Sequence, residues 1–378
     1  MKVLVLNAGS SSLKFSLTNT ITRAHEIKGA VERIGLPDPI LRIGDRAAPI
    51  AASDHRQALQ EVLNELPIIE VEAVGHRVVH GGNFTASSRI SKDVLDRLEA
   101  FSHLAPLHNP ANIAGIRAAL EALPEVPQVA VFDTAFHQTM PEFAWRYAIP
   151  HQLADKYNYR RYGFHGTSHR YVSNRLAEQI NRPLAELRVI VLHLGNGASA
   201  TAVMHGKSAD TSMGFTPIEG LIMGTRSGDI DPGLVLELVR SMGIDKATSL
   251  LNKQSGLLGL AGYSDLRDLH SAISNGDQKA EAALKIYTYR IKKYIGAYAA
   301  AMGGLDAIAF TAGVGENDSE VRRLSLAGLD FLGIQLDNAA NQSGGPRISH
   351  KGSQVEVWVI PTDEELAIAL DTEKVLKN

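Results

Sequence analysis

One pattern occurs twice in this chain: KVLVLNAGSSSLKFSL at Lys2–Leu17 and RVIVLHLGNGASATAV at Arg188–Val203. Each copy has a basic residue, an apolar β-branched run, a turn of small polar residues and a second apolar run. The turns are built around Gly9 in the first copy and around Gly195 and Gly197 in the second. Turns without bulky side chains let backbone N–H groups and hydroxyls approach an anion closely. The repeat therefore predicts two related strand–turn–strand units, one opening each half of the chain, which hold a polyphosphate between two domains.

Length and composition indicate a globular protein with two domains. The chain has 378 residues, of which 44% are hydrophobic and 21% charged, enough for two separate cores. A net charge of −3 gives no reason to expect a nucleic acid or an anionic membrane as partner. The absence of cysteine excludes disulfides, thiolate metal sites and a cysteine nucleophile. No signal-peptide pattern and no bilayer-length apolar stretch occur, so we expect a cytoplasmic protein.

Apolar and amphipathic runs alternate along the chain, which is typical of an α/β protein with mixed sheets. After the first hairpin, residues 18–52 are expected to form further strands and turns. Buried strands are predicted at Glu72–His80, Gln128–Phe132, Ala307–Phe310 and Val355–Ile360. Helices are predicted at Ser53–Leu66, Ser91–His103, Asn109–Leu123, Ser168–Asn181, Pro232–Met242, Asp277–Met302 and Thr362–Leu376.

Cap signals set the expected starts of three of these helices. Ser53 and Asn109 are the predicted N-caps of the first and third helix, because their short polar side chains accept from free backbone N–H groups. Thr362 and Glu365 have the capping-box spacing at the start of the last helix.

A change of composition near Pro141–Tyr162 predicts the boundary between the two domains. This stretch is rich in aromatic residues and contains two adjacent arginines close to its end. We therefore expect an N-terminal domain of residues 1–140 plus 366–378 and a C-terminal domain of residues 141–365.

Several motifs of nucleotide and hydrolase chemistry are absent from the sequence. There is no G-x-x-x-x-G-K-[ST] loop, no G-x-G-x-x-G after a strand, no H-E-x-x-H and no G-x-S-x-G. A dinucleotide-dependent oxidoreductase, a zinc hydrolase and an α/β-hydrolase therefore lose their main support.

Polar side chains cluster where predicted strands of the first domain end. Asn7, Ser12 and Lys14 lie in or beside the first turn, for which a solvated serine-rich loop is the alternative interpretation. Arg77 stands inside an apolar strand, where a guanidinium binds a carboxylate or phosphate in a bidentate pair, unless the strand lies at a sheet edge. Asp133 follows a buried strand, a position typical both of ligand-binding carboxylates and of helix N-caps.

The second half of the chain carries a comparable set of polar residues. His165 lies among glycines and arginines and is a candidate donor to a phosphoryl group, the alternative being a surface histidine. Arg226 is the candidate second guanidinium, unless Asp229 or Asp231 simply holds it in a solvated loop. Gly313–Asn317 would give the sugar or base of a nucleotide a close approach to the backbone, and a helix is expected to start at Glu316.

Three acids, Asp363, Glu364 and Glu365, begin the last predicted helix. Capping and the helix dipole explain acids at this position without any function, whereas a Mg²⁺ ion that holds a phosphate would also suit them. Together with two glycine turns, paired arginines and no covalent nucleophile, they match the needs of phosphoryl transfer.

Nine sequence blocks, in order and over nearly the whole chain, are those of one family: NAGSSSLKF (7–15), GHRVVHGG (75–82), APLHNPAN (105–112), FDTAFHQTMP (132–141), RRYGFHGTSH (160–169), HLGNGAS (193–199), DTSMGFTPIEGLIMGTRSGDIDPG (210–233), FTAGVGEN (310–317) and IPTDEELAIA (360–369). The sequence thus resembles the acetokinase (acetate kinase) family of the acetate and sugar kinase, heat-shock chaperone and actin superfamily. The resemblance implies an α/β fold of two duplicated ribonuclease-H-like, actin-like ATPase domains with mixed sheets around an interdomain cleft.

The reaction implied by the resemblance is ATP + acetate ⇌ ADP + acetyl phosphate, by direct in-line transfer. Mg²⁺ would be the cofactor, with Mn²⁺ able to replace it, and ATP or ADP the nucleotide substrate. The resemblance further implies a homodimer formed through the C-terminal domain. It implies no nucleic-acid or membrane partner.

Carried onto matching positions, the resemblance implies roles for the charged side chains. Asn7 and Glu364 would hold the metal or its waters. Arg77 and Arg226 would bind the carboxylate and then the phosphoryl group in transfer, and Asp133 would orient the arginines.

The resemblance also implies binding residues and a stabiliser of the transition state. His165, with Arg226, would donate to the transferred phosphoryl group. The implied nucleotide-binding residues are Ser12, Lys14, His193, Leu194, Gly195, Asn196, Gly197, Asp265, Leu266, Arg267, Gly313, Val314, Gly315, Glu316 and Asn317. The implied acid-binding residues are Arg77, Val79, Leu107, Phe164 and Pro217.

Two other functions stay open on the sequence alone. A propionate or other short-chain acyl kinase would share the same site, although valine at position 79 favours acetate because propionate kinases tend to carry alanine there. A single methylene discriminates by only about 1–3 kcal/mol, so propionate is expected to be a slower substrate. An actin-like, nucleotide-gated interaction protein would share the fold, but it would need neither the paired arginines nor a methyl-sized pocket.

Overall fold

The computed structural model describes residues 1–66, 70–106 and 108–377. The chain divides into two units, which are described separately. Unit 1 comprises Met1–Gln138, Gly166–Ser168 and Asp363–Asn378, and unit 2 comprises Thr139–His165 and His169–Thr362.

The strands and helices alternate along the chain, as the sequence predicts. The strands are β1 Lys2–Gly9, β2 Ser12–Asn19, β3 Ala24–Glu32, β4 Ile40–Ile43, β5 Arg46–Pro49, β6 Ala73–Val78, β7 Ser88–Arg89, β8 Gln128–Phe132, β9 Arg188–Leu194, β10 Ala198–Met204, β11 Lys207–Thr211, β12 Ala307–Thr311 and β13 Glu356–Val359. The α-helices are α1 His55–Asn64, α2 Lys92–Ala100, α3 Asn109–Ala122, α4 Glu142–Trp145, α5 His151–Tyr157, α6 Gly166–Ile180, α7 Pro232–Met242, α8 Ile244–Lys253, α9 Gly256–Ala261, α10 Leu266–Ser274, α11 Gln278–Ala301, α12 Ala312–Asn317, α13 Ser319–Leu326, α14 Asn338–Ser343 and α15 Glu364–Lys377. Short 3₁₀ turns occupy Ser102–Leu104, Ala135–Thr139, Leu184–Glu186 and Asp330–Leu332.

In the described part of unit 1, the strands form a mixed sheet of order β5-β4-β3-β2-β1-β6-β8-β7. β1 is antiparallel to β2 and parallel to β6, which is in turn parallel to β8. Both faces of β1 are buried: Leu4 and Leu6 join the core with residues of α1 and α3, whereas Val3 and Val5 pack with Ile368 of α15. A strand covered on both faces explains why the first apolar run shows no polar alternation.

In the described part of unit 2, the strands form a mixed sheet of order β11-β10-β9-β12-β13. β9 is antiparallel to β10 and parallel to β12, and β12 is parallel to β13. This order and these directions repeat those of β3-β2-β1-β6-β8 in unit 1. The two hairpins predicted from the repeated pattern are therefore confirmed, each as the opening of one of two duplicated sheets.

Three predicted N-caps are wrong, and in two of them the next residue makes the cap. Asp54 caps α1, accepting from the Gln57 N–H at 2.9 Å, while the Ser53 hydroxyl donates to the Gln57 side chain. The last helix starts at Glu364, directly after Asp363, whose side chain accepts from the Leu366 N–H at 2.9 Å, so the N-cap is Asp363 and not Thr362.

Asn109 is the first residue of α3 and not its N-cap, which is His108. Its side chain bonds both ways to the backbone of His80: Oδ1 accepts from the N–H at 3.2 Å and Nδ2 donates to the carbonyl at 2.9 Å. The Asn109 side chain therefore binds a backbone segment that is distant in sequence and does not cap α3.

The helix predicted to start at Glu316 instead starts at Ala312, so Gly313–Asn317 lie within α12. The other predicted strands and helices begin or end within a few residues of the observed ones, and the predictions for Gln128–Phe132 and Pro232–Met242 agree residue for residue. Among the described residues, no helix combines the length and the apolar composition that a membrane span needs.

Candidate functional site

Four predicted site residues of unit 1 meet at one edge of its sheet. Parallel strands β1, β6 and β8 end at this edge: Asn7 and Arg77 are among the last three residues of β1 and β6, and Asp133 directly follows β8. Alternation puts these side chains on the face that carries Val5 and is covered by α15. Because α15 begins with Glu364, its carboxylate reaches the same place.

The centre of this edge is an ion pair between Arg77 and Asp133. Arg77 Nη2 donates to Asp133 Oδ2 at 2.7 Å, and Nε lies 3.2 Å from both carboxylate oxygens. Arg77 Nε is also 3.7 Å from Glu364 Oε2. Since β6 lies between β1 and β8, Arg77 is not an edge-strand arginine. The Asp133 carboxylate binds Arg77 and is not the N-cap of an α-helix. The alternatives of an edge-strand arginine at position 77 and a helix N-cap at position 133 are therefore both wrong.

Burial and neighbouring charges both shift the pKa values of Arg77 and Glu364. Burial by itself lowers the pKa of Arg77, but the carboxylates of Asp133 and Glu364 raise it above the ordinary arginine value. Burial raises the pKa of Glu364, and the carboxylates of Asp133 and Glu365 raise it further, against the lowering effect of Arg77. Two carboxylates, those of Asp133 and Glu364, thus lie beside the single guanidinium of Arg77.

Two asparagines that the sequence reasoning did not assign to the site hold the backbone after β6. Asn112 accepts from the Val79 N–H at 3.0 Å and donates to the Ala8 carbonyl at 2.7 Å, while Asn109 brackets His80. The spacing of three residues puts both amides on one face of α3. That spacing within the block APLHNPAN was the available signal.

Gly166 fixes the backbone beneath the Asp133 carboxylate. Its N–H donates to the Asp133 carbonyl at 2.8 Å. A Cβ at this position would overlap that carbonyl oxygen and would lie 3.1 Å from Phe136 Cβ. Only glycine permits this close approach.

In unit 2, five predicted residues lie at or beside the turn between β9 and β10. The Gly195 N–H donates to the Gly197 carbonyl at 3.1 Å, and Asn196 accepts through its carbonyl from the Gly224 N–H at 3.1 Å. A Cβ built on Gly197 would lie 3.6 Å from His165 Nε2 and 4.0 Å from Arg226 Nη1. The imidazole and guanidinium thus face the same glycine.

Within the described part of the chain, Arg226 is held by backbone and not by an acid. Its Nη1 donates to the Pro217 carbonyl at 3.3 Å, and burial lowers the pKa of this guanidinium. Asp229 instead pairs with Arg290, at 3.1 Å, and Asp231 caps α7. The alternative that either acid neutralises Arg226 is therefore wrong, and its charge is available to an anion.

The histidines beside the turn are tightly packed. The His165 ring stacks on His193 with centroids 4.3 Å apart, and His165 itself has a left-handed backbone, with φ of 57°. Ser199, directly opposite His193 across the hairpin, contacts both His165 and His169 through its hydroxyl. His165 is thus a fixed side chain and not a solvated surface residue.

A cavity of about 920 Å³ lies beside this turn within unit 2. Predicted nucleotide-binding residues form much of its wall: Gly195, Asn196, Asp265, Leu266, Arg267, Gly313, Val314 and Asn317. The wall also contains residues that the sequence reasoning missed: Gly224, Leu257, Ser264, His270, Tyr287, Asp318, Ser319 and Glu320. A volume near the upper end of small-ligand pockets suits a nucleoside.

Charged pairs rim this cavity. Asp265 caps α10 and binds the Arg267 guanidinium, with Nη2 to Oδ2 at 2.6 Å, which lowers the pKa of Asp265 to about 2. His270 Nε2 lies 2.7 Å from Asp318 Oδ2. The pairing of Asp265 with Arg267 could have been predicted from their spacing of two residues. The pairing of His270 with Asp318 could not, because these residues are 48 apart in the sequence.

Other predicted nucleotide residues lie away from the cavity wall. The Glu316 carboxylate accepts from the Ala312 and Thr362 N–H groups, at 2.8 and 3.1 Å, and so holds backbone. Gly315, Gly197, His193 and Leu194 do not line the cavity either. Ser12 pairs with Gly9, and exposed Lys14 lies opposite Asn7, in the first hairpin of unit 1.

The predicted acid-binding residues are distributed over both units. Val79 is in unit 1, and its N–H is held by Asn112. Phe164, which is buried, and Pro217 belong to unit 2. Leu107 lies outside the described residues.

The donor set near Glu364 is compatible with a magnesium ion. Among the described residues, no group of three or more His, Cys, Asp or Glu side chains has the arrangement of a metal site. Mg²⁺ does not require one, because it commonly uses one or two carboxylates together with waters and substrate phosphates. Asn7 and Glu364 supply oxygen donors of the kind that Mg²⁺ prefers.

The duplicated sheets define the class of protein: a pair of ribonuclease-H-like domains, as in the actin-like ATPases. The sequence profile of the acetokinase family matches residues 2–370, so the chain belongs to the acetokinase family.

Known proteins similar to the chain agree with this assignment. It is 52% identical over 401 residues to the acetate kinase of Coprothermobacter proteolyticus, with all of both chains covered. The crystal structure of Porphyromonas gingivalis acetate kinase superposes with a TM-score of 0.95 at 46% identity, covering 99% of each chain. A propionate kinase from Francisella tularensis has the same TM-score and coverage at 42% identity.

Proposed function

We propose that this chain is a Mg²⁺-dependent acetate kinase, which transfers the γ-phosphate of ATP reversibly to acetate and yields acetyl phosphate and ADP. Membership of the acetokinase family and the names of its relatives support the reaction. The observation that carries the chemistry is the Arg77–Asp133–Glu364 cluster at the ends of parallel strands.

The acceptor needs no strong base in this reaction. A carboxylic acid with a pKa near 4 is already ionised at neutral pH, so its oxygen is a ready nucleophile. Arg77 binds this carboxylate, and the bidentate contact with Asp133 holds the guanidinium plane in place. The methyl group of acetate packs against Val79, which supports acetate over propionate.

The residues of unit 2 suit the phosphates and the nucleoside. Backbone N–H groups of Gly195–Gly197 and the side chain of Asn196 bind phosphate oxygens. His165 and Arg226, both beside Gly197, stabilise the charge that spreads over the phosphoryl oxygens during in-line transfer. Asp265–Arg267 and α12 hold the nucleoside in the cavity.

Asn7 and Glu364 are the side chains that would hold the metal or its waters. A bound Mg²⁺, or Mn²⁺ in its place, supplies positive charge that neutralises phosphate oxygens. Asp133 and Glu365 strengthen the site through the negative charge that they add near Glu364.

We also propose a homodimer formed through unit 2, and a cytoplasmic location. Helix α7 has no buried residue, and its Leu234 and Leu236 are 50% and 65% exposed. Exposed apolar side chains of this kind suit a contact with a second copy of the chain. The lack of cysteine is compatible with a reducing compartment. Sedimentation velocity measures the assembly directly.

Trapping the acyl phosphate with hydroxylamine tests the proposed reaction. Acetate with ATP and Mg²⁺ should give the highest kcat/KM in a panel of short-chain acids, with propionate slower. A kcat/KM that favours propionate would point to the propionate kinase alternative. ATP turnover that does not respond to any acid would contradict both kinases.

A further inference from the structure

The hydroxyl of Ser199 lies between two imidazoles at the phosphate turn of unit 2. Its Oγ is 2.9 Å from Nδ1 of His165 and 2.7 Å from Nε2 of His169. Ser199 and His169 are fully buried, so neither contact is a transient surface interaction.

Hydrogen-bond chemistry limits how these three groups can share protons. A serine hydroxyl has one proton to donate and lone pairs that accept, and a neutral imidazole has one donor and one acceptor nitrogen. Ser199 can therefore donate to only one of the two rings. With both rings neutral, the other ring must donate to Ser199.

The two possible arrangements have opposite consequences for His165. If Ser199 donates to Nδ1 of His165, the proton of that ring resides on Nε2. If His165 donates to Ser199, Nε2 keeps a lone pair. The Cε1–Nε2 edge of the ring faces Gly197, where a Cβ would lie 3.6 Å from both atoms. A lone pair there would repel phosphate oxygens, whereas an N–H would bind them.

We propose that Ser199 is a positioning residue that sets the tautomer of His165. Its hydroxyl donates to Nδ1 of His165 and accepts from Nε2 of His169, so that His165 presents an Nε2–H to the glycine turn. Stacking on His193 fixes the ring plane, and Ser199 fixes the position of the proton. The catalytic consequence rests on the proposed function, but the tautomer itself does not.

Nitrogen NMR of the ¹⁵N-histidine-labelled full chain tests the assignment without nucleotide or acid. The signals of His165 are identified by their loss in His165→Gln. Wild type should show the Nε2–H tautomer at neutral pH, Ser199→Thr should retain it, and Ser199→Ala should populate the Nδ1–H form. An Nδ1–H tautomer in wild type overturns the proposal, and so does an unchanged tautomer in Ser199→Ala.

Turnover provides a second readout. Ser199→Ala should lower kcat by about 10- to 100-fold with little change in KM for acetate, less than the 10²–10³ typical of deleting a donor outright. Ser325→Ala is the matched control, since that hydroxyl is buried in α13 and has no hydrogen-bond partner among the described residues. Its kcat should equal that of wild type.

The two inferences fail in different ways. If wild type forms acetyl phosphate but shows the wrong tautomer, only the role of Ser199 is lost. If the tautomer is as expected but no acyl phosphate forms, the proposed function is lost instead.

Discussion

The two duplicated sheets place different chemistry at equivalent strand ends. β6 pairs with β1 in the register in which β12 pairs with β9, so Arg77 and Thr311 occupy equivalent positions. By the same registers Asp133 corresponds to Thr362. In unit 1 these positions hold an ion pair, whereas in unit 2 the Thr311 hydroxyl and the Thr362 N–H both donate to Glu316.

The comparison shows that the sheet topology determines where the parallel strands end, whereas the side chains at those ends determine the chemistry. Both sheets have parallel strand ends, yet among the described residues a charged cluster lies at these ends in unit 1 only. Unit 2 carries its polar residues on the hairpin turn and the loops beside it, around Gly197 and Arg226. The duplication therefore supplied two scaffolds of the same topology that carry different polar clusters.

The largest effect is expected from removing the guanidinium of unit 1. Arg77→Ala should lower kcat by about 10²–10³ or more, because a donor to the transition state is lost. Arg77→Lys should also be impaired, since an ammonium cannot make the bidentate contact with Asp133. Acyl hydroxamate formation measures both. Thr311→Val, at the equivalent position of unit 2, should stay within about threefold of wild type. Equal losses at both positions would contradict the comparison.

Arg226→Ala tests whether the second guanidinium acts on the same phosphoryl group. The single variant should lose about 10²–10³ in kcat, like Arg77→Ala. If both arginines act in one transition state, the double variant should lose much less than the product of the single losses. Fully multiplicative losses, with each variant folded by circular dichroism, would indicate independent roles.

A smaller effect is expected from the glycine beneath Asp133. Gly166→Ala should lower the free energy of unfolding by about 1–3 kcal/mol, because its methyl group must displace the Asp133 carbonyl. Activity should fall too, since the carboxylate that orients Arg77 moves with its backbone. Gly296→Ala, in α11 with open space around it, should instead stabilise the protein by about 0.5–1 kcal/mol. Urea titration distinguishes the two.

At neutral pH the smallest effect is expected from the buried histidine of β6. Burial lowers the pKa of His76 to about 4, against the raising effect of its hydrogen bond with Gln128. As the pH falls from 6.5 towards 4, the unfolded chain takes up a proton that the folded chain does not, so stability decreases. The contribution is about 1.4 kcal/mol per pH unit in this window, and none above it.

His76→Asn should flatten the dependence of unfolding free energy on pH between 6.5 and 4. His350→Gln is the matched control, because the His350 side chain is 58% exposed. An unchanged slope in His76→Asn would show that this imidazole is not the titrating group.

Local patterns predicted much of the fold and part of the site. Both hairpins and the buried strand that leads to Asp133 follow from apolar runs and glycine turns, which involve only near neighbours. N-cap predictions were wrong where two adjacent residues could both cap the helix, as with Ser53 and Asp54. They were also wrong where a distant backbone group bound the side chain, as with Asn109.

By itself, the sequence determined the duplicated hairpins, the polar residues that follow each strand and membership of the acetokinase family, because these depend on local order along the chain. Only the tertiary structure decided that Arg77 binds Asp133 and approaches Glu364, that Gly166 supports the carboxylate, and that Ser199 bridges two histidines. These contacts join residues from distant parts of the chain. Their geometry depends on how strands and helices pack together, and no local spacing encodes it.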